Sequence, residues 1–237
     1  MATWRPHDTD GSMTNAANAT FASTATHAAA ARFAALARAR LHPASGLQPG
    51  AKAPSDYDLN PGMTPAAAGT LRPAAVLIPV VARETLTVLL TQRAGTLTRH
   101  AGQIAFPGGR IDQSDADAAA AALREAHEEV GLEPHFVTPV GFSTPYQTGT
   151  GFLVTPVVGF IRHGFTLTPN PGEVADIFET PLSFLMDLAN YQEHERELPS
   201  GVKRRFYATT HEAQYIWGAS AGMLRALRDR LYGAALA

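Results

Sequence analysis

Cysteine is absent from all 237 residues, which excludes disulfides and thiolate metal sites and fits a reducing compartment. Long apolar runs are also missing: nothing approaches the roughly 18–20 residues needed to span a bilayer. The N-terminus carries Asp8 and Asp10, then Thr, Asn and Ala, rather than a signal-like apolar core. A surplus of one charge is lacking as well. The formal net charge of −2 makes no electrostatic case for non-specific nucleic-acid or anionic-membrane binding. No Gly-Lys-Ser/Thr ends the glycine pair at Gly108-Gly109, so there is no P-loop. The His-Glu-x-x-His metal pair and the Gly-x-Ser-x-Gly nucleophile elbow are absent too. Asn18-Ala19-Thr20 fits a glycosylation triplet, but nothing else points to secretion. No internal repeat is visible. The expectation is a cytoplasmic protein whose 45% hydrophobic content is ample for a core.

What the chain does have is an acidic helix. Arg124-Glu125-Ala126-His127-Glu128-Glu129-Val130-Gly131-Leu132 closes a helical run expected to start near Asp115, with Ser114 and Asp117 as a capping pair. Glu125, Glu128 and Glu129 share one face. Like charges three and four apart cost about 0.2–0.5 kcal/mol per pair, and the helix C-terminus disfavours anions further. A divalent cation reverses that penalty, because hard ions take oxygen ligands and dominate the local field. The opposite stripe, Ala119, Leu123, Ala126 and Val130, is expected to face a core. Ahead of the helix, Phe106-Pro107-Gly108-Gly109 reads as a turn, with glycines that permit close backbone approach to a ligand. His127 reads as a surface residue and Trp217 as core.

The run from Gly109 through Arg124-Glu125, Glu128-Glu129 and Gly131-Leu132 resembles the Nudix box. Asp115 stands where the box has its first Glu, and the interval from there to Arg124 is one residue longer. Leu89-Leu90-Thr91-Gln92-Arg93, with Gly102-Gln103-Ile104-Ala105-Phe106-Pro107-Gly108-Gly109-Arg110-Ile111-Asp112, resembles the extra signature of the coenzyme A pyrophosphatase branch. That branch carries an arginine at the place aligned with Thr98, and here Arg99 follows it. Asn170-Pro171-Gly172-Glu173-Val174, Pro181-Leu182 and Tyr215–Ala221 are similar to the same branch.

The resemblance implies a Nudix-type α/β/α sandwich with a mixed sheet, of α+β class. It also implies a Mg²⁺- or Mn²⁺-dependent pyrophosphatase that cuts coenzyme A or acyl-coenzyme A into 3′,5′-ADP and (acyl-)4′-phosphopantetheine. Glu125, Glu128 and Glu129 are then the metal ligands, with Arg124 orienting them. Glu173 is a candidate general base or extra ligand, and a box glutamate is the alternative base. Arg93, Arg99 and Arg110 are candidate phosphate contacts, since guanidinium forks match phosphate oxygens. Gly108 and Gly109 complete the substrate-binding set. Two rival readings stay open: a Nudix pyrophosphatase for ADP-ribose or NADH, and a non-catalytic nucleotide-binding sensor. A small-molecule partner is expected, with neither nucleic acid nor membrane, and the sequence allows a homodimer.

Along the chain, residues 1–20 read as a mobile tail. Ala- and Arg-rich residues 26–41 read as a helix with Phe33, Leu36 and Leu41 on its apolar side and Pro43 as its stop. Five prolines and four glycines mark 43–72 as a surface linker. The division expected is an N-terminal arm over 1–72 and a hydrolase domain over 73–237. In the latter, Ala74–Val81 and Leu86–Thr91 pair as strands, with Pro79 marking an edge or bulge. Further strands are expected at Phe136–Phe142 and Phe152–Ile161, helices at Pro181–Leu188 and Ala219–Tyr232, and a hairpin over 203–217 across His211-Glu212.

Overall fold

Side chains along β1 (Arg72–Ala82) alternate between two apolar layers, with Ala74, Ile78 and Val80 in one and Ala75, Leu77 and Val81 in the other. A strand buried on both faces belongs in the middle of a sheet, and β1 lies there. The computed structural model describes residues 15–44, 46, 52–98, 100–197 and 201–233. β1 runs antiparallel to β2 (Leu86–Arg93) and to β4 (Gly108–Arg110), and parallel to β7 (Phe152–Ile161). β3 (Ile104–Ala105) and β8 (Val174–Pro181) pair with β2, while β5 (Val137–Phe142) and β6 (Tyr146–Gln147) pair with β7. The result is a mixed eight-stranded sheet.

Helix α2 (Ala118–Val130) covers the face that carries Ala75 and Leu77. Helices α1 (Asn15–Arg40) and α4 (Ala219–Tyr232) cover the other. The expected α/β/α sandwich is therefore what the chain forms. A second sheet of β9 (Tyr191–Glu197), β10 (Lys203–His211) and β11 (Gln214–Trp217) stands beside it. Its turn after His211 puts Glu212 at φ 52°, where glycine is usual, which is why no turn signature marked the hairpin.

Several boundaries move. Pro79 is not at an edge: it pairs with Gly159 in the parallel ladder. Alternation places its missing donor on the side to which Leu77 N–H points, and β2 joins that side only from Val80 onward. β1 thus hands over from β4 to β2 at the proline. Helix α2 starts at Ala118 rather than near Asp115, because Asp117 is the N-cap and accepts the Ala120 N–H at 2.8 Å. The buried stripe of α2 is Ala118, Ala121, Ala122, Ala126 and Val130, while Ala119 and Leu123 are only partly covered. Helix α1 begins at Asn15, so residues 15–20 are helical rather than tail; residues 1–14 lie outside the described residues. The helix expected over Pro181–Leu188 shrinks to α3 (Leu182–Leu185) and a 3-10 turn at Leu188–Asn190.

The stretch before β1 does more than cover the surface. Phe33, Ala37 and Leu41 of the arm enter the main core, and Phe33 meets Phe160 edge-on with ring centres 5.6 Å apart. Farther on, the Asn60 side chain donates to the Asp56 and Arg205 carbonyls and accepts the Arg205 N–H, tying the segment to β10.

Candidate active site

Small side chains on the inner stripe of α2 let the helix approach the sheet closely, and the same packing carries Glu129 inward until it is 4% exposed. Its carboxylate accepts the Gly108 N–H at 3.1 Å and lies 3.7 Å from the Arg93 guanidinium. Those contacts do not offset the loss of water. Burial, reinforced by Glu125 and Glu173, pushes the Glu129 carboxyl up to about 7. Glu125, one turn earlier, is also raised, first by desolvation and then by Glu128 and Glu173, against the pull of Arg124. Gly109 lies so close that a Cβ there would fall 2.5 Å from the Glu125 carboxyl carbon.

Arg124 is fully committed within the protein. Its Nε and Nη2 donate to the two oxygens of Asp115, each at 3.0 Å, and Nη2 also donates to the Arg110 carbonyl at 3.1 Å. Its Nη1 donates to Glu125 and Glu128, each at 3.0 Å. Asp115, whose carboxyl that arginine holds below the ordinary range, is thus an anchor for Arg124 and not part of the helix. The extra residue before Arg124 is absorbed in the turn ahead of α2, where Asp115 also accepts the Asp112 N–H at 2.8 Å. At the other end, Gly131 at φ 68° closes α2, with its N–H and that of Leu132 donating to His127 and Ala126.

Glu173 arrives on the turn before β8. Its side chain accepts from the Asn170 amide at 3.1 Å, and its carbonyl accepts the Ala94 N–H at 2.8 Å. A register shift between Gln92 and Arg93 ends the regular β2–β8 ladder beside it. The Arg93 Nε is buried without a partner among the described residues, which leaves a donor open to a ligand.

Glu125, Glu129, Glu173, Arg93, Gly108, Gly109 and Arg110 all line one cavity of about 750 Å³. Glu128 does not: its side chain is 53% exposed and held by Arg124. Arg99 lies outside the described residues. His127 is exposed and 3.3 Å from Glu133, and Trp217 lines the cavity where the sequence suggested core. Among the lining residues that carried no sequence signal are Asp56, Arg196, Arg204 and Phe206. Asp56 sat in a proline-rich stretch with no motif, and the other three reach the cavity only through tertiary placement.

A divalent ion fits what is present. Both carboxyls are pushed upward, first by burial and then by neighbouring carboxylates, Glu173 among them, so positive charge is what the set lacks. The donors are all oxygen, as Mg²⁺ or Mn²⁺ prefers. Among the described residues no three acidic or histidine side chains are already gathered at metal-holding distances. Arg124 accounts for that by drawing Glu125 and Glu128 to itself.

Residues 71–200 match the family described as NUDIX domain. The chain is 46% identical over 157 residues to an uncharacterized Nudix hydrolase NudL of Citrobacter koseri, covering 66% of this chain and 81% of that one. It is 44% identical over 157 residues to the NudL of Escherichia coli K12, with the same coverage of each chain. Among solved structures, a Nudix hydrolase from M. smegmatis, RenU, is 21% identical, with a TM-score of 0.46 over 70% of this chain and 89% of that one.

Proposed function

The chain belongs to the Nudix hydrolases, pyrophosphatases that generally use divalent metal ions, and on that premise we propose that its substrate is coenzyme A or acyl-coenzyme A. The observation that carries the substrate reading is convergence. Arg93 and Gln103–Asp112, the segments that resemble the coenzyme A branch, come from β2, β3 and β4, and most of their residues wall the cavity that holds Glu125, Glu129 and Glu173. Water attacks phosphorus, one P–O bond of the anhydride breaks, and the products are 3′,5′-ADP and (acyl-)4′-phosphopantetheine.

Glu125 and Glu129 would hold Mg²⁺ or Mn²⁺, with Glu128 as a further ligand once it leaves Arg124. A bound ion would polarise the phosphoryl oxygen and neutralise the leaving phosphate. Arg124 positions the carboxylates. Arg93, with its open Nε, and Arg110, on the rim, would take phosphate oxygens in bidentate fashion. Glu173 stands ready to accept the proton of the attacking water, held in place by Asn170. We take residues 73–237 as the hydrolase domain and 1–72 as an arm that completes it, working in the cytoplasm, which the lack of cysteine favours.

Turnover of coenzyme A, 3′-dephospho-coenzyme A, ADP-ribose and NADH, with Mg²⁺ or Mn²⁺ and with a chelator, tests the reading. Coenzyme A should have the highest kcat/KM, and the chelator should abolish activity. A preference for ADP-ribose or NADH would overturn the substrate assignment.

A further inference from the structure

Charges on the small sheet obey a rule on one face and break it on the other. On the face away from the cavity, β9 and β10 set Lys203 opposite Glu197 and Arg205 opposite Glu195, and diagonal ion pairs join Lys203 to Glu195 at 2.7 Å and Arg205 to Glu193 at 3.6 Å. On the face that lines the cavity, Arg204 is set directly opposite Arg196. Two guanidinium groups on facing positions of antiparallel strands repel, so folding does not favour the pair unless an anion comes between them.

The two arginines are prepared differently. Arg204 donates to Asp56 at 2.7 Å, and that carboxylate is itself fixed by the Gly149 N–H at 2.7 Å and the Tyr146 hydroxyl at 3.0 Å. A Cβ on Gly149 would meet the Arg204 guanidinium at 2.6 Å, so the glycine leaves the space in which that group lies. One of its five donors serves Asp56, and the others remain for a ligand. The Arg196 side chain has no hydrogen bond or ion pair among the described residues. Beside them Phe206 and Trp217 line the same cavity, ring centres 5.1 Å apart. Guanidinium groups next to aromatic faces suit a phosphate carried on a stacking base.

We propose that Arg196 and Arg204 form a second anion subsite that, with Phe206 and Trp217 alongside, takes a phosphomonoester borne on a nucleoside, distinct from the anhydride that is cut. That this phosphate is the 3′-phosphate of coenzyme A rests on the substrate reading above; the chemistry recognised does not.

Calorimetric titration with adenosine 3′,5′-bisphosphate and with 5′-AMP tests the subsite without turnover. The wild type should bind the bisphosphate about tenfold tighter or more. Arg196→Ala should bring the two affinities together, and Arg196→Lys should restore part of the preference, which a purely structural role would not do. Arg205→Ala, on the opposite face, should keep the wild-type ratio. Thermal melting checks that each variant folds. No preference in the wild type, or an undiminished preference in Arg196→Ala, overturns the subsite even if coenzyme A is cleaved. A full preference in a protein that leaves coenzyme A intact upholds the subsite and removes the substrate reading instead.

Discussion

Among the described carboxyls, Glu129 is the one that burial raises furthest. Its carboxyl is raised to about 7, so its protonated form is favoured by the fold. Below the ordinary carboxyl range it costs nothing, and the penalty grows as pH rises through that value. Glu129→Gln should therefore be more stable than the wild type in urea unfolding in chelator at pH 8, by roughly 1–3 kcal/mol, with the gain vanishing near pH 4. The same variant should lose roughly a hundredfold or more in turnover with metal present. A variant of near-normal activity would remove Glu129 from the ligand set. The neighbouring glycines separate stability from chemistry. A Cβ on Gly108 would sit 2.4 Å from the Ala75 carbonyl oxygen, where backbone cannot give way, so Gly108→Ala should cost about 3 kcal/mol in urea unfolding. At Gly109 the obstacle is the mobile end of Glu125. Gly109→Ala should keep its unfolding midpoint and lose at least about tenfold in kcat.

At the scale of elements, the leading segment is held by side chains as well as by packing. Asn60→Ala would leave two carbonyls and one N–H on Asp56 and Arg205 without partners, which should cost about 1–3 kcal/mol in urea unfolding and raise KM more than it lowers kcat. Equal KM before and after would show that this segment does not shape the cavity. Periodicity made β1, β2, β7 and α4 legible, because their alternation or helical stripe extends over many residues. Crowded carboxylates made α2 legible as the site helix, although not its first turn, where two aspartates compete for the cap and Arg124 decides by taking Asp115. Pro79 misled because an edge and a partner exchange leave the same local mark. Asp56 and Arg204 carried no signal, since neither has a motif around it and each is explained only by the other.

For the whole molecule, the arm and the sheet share one apolar core, in which Phe33, Ala37 and Leu41 contact the layer of Ile78, Val80 and Val158. A chain truncated before Arg72 should lose several kcal/mol of stability, since removing one buried Phe alone costs about 3–5 kcal/mol. Differential scanning calorimetry of the truncated and full chains reads this directly; equal melting temperatures would make the arm dispensable.

Asp56 meets Arg204 across 148 positions of sequence. On a ribosome, the wall that Asp56 secures stays unfinished until Arg204, far downstream, has emerged. Spontaneous refolding faces the same delay, because bringing such distant partners together is slow compared with zipping neighbouring strands. Nucleotide affinity should thus return later than circular dichroism after dilution from urea, and an interrupted translation product would carry the acidic helix without the finished chamber around it.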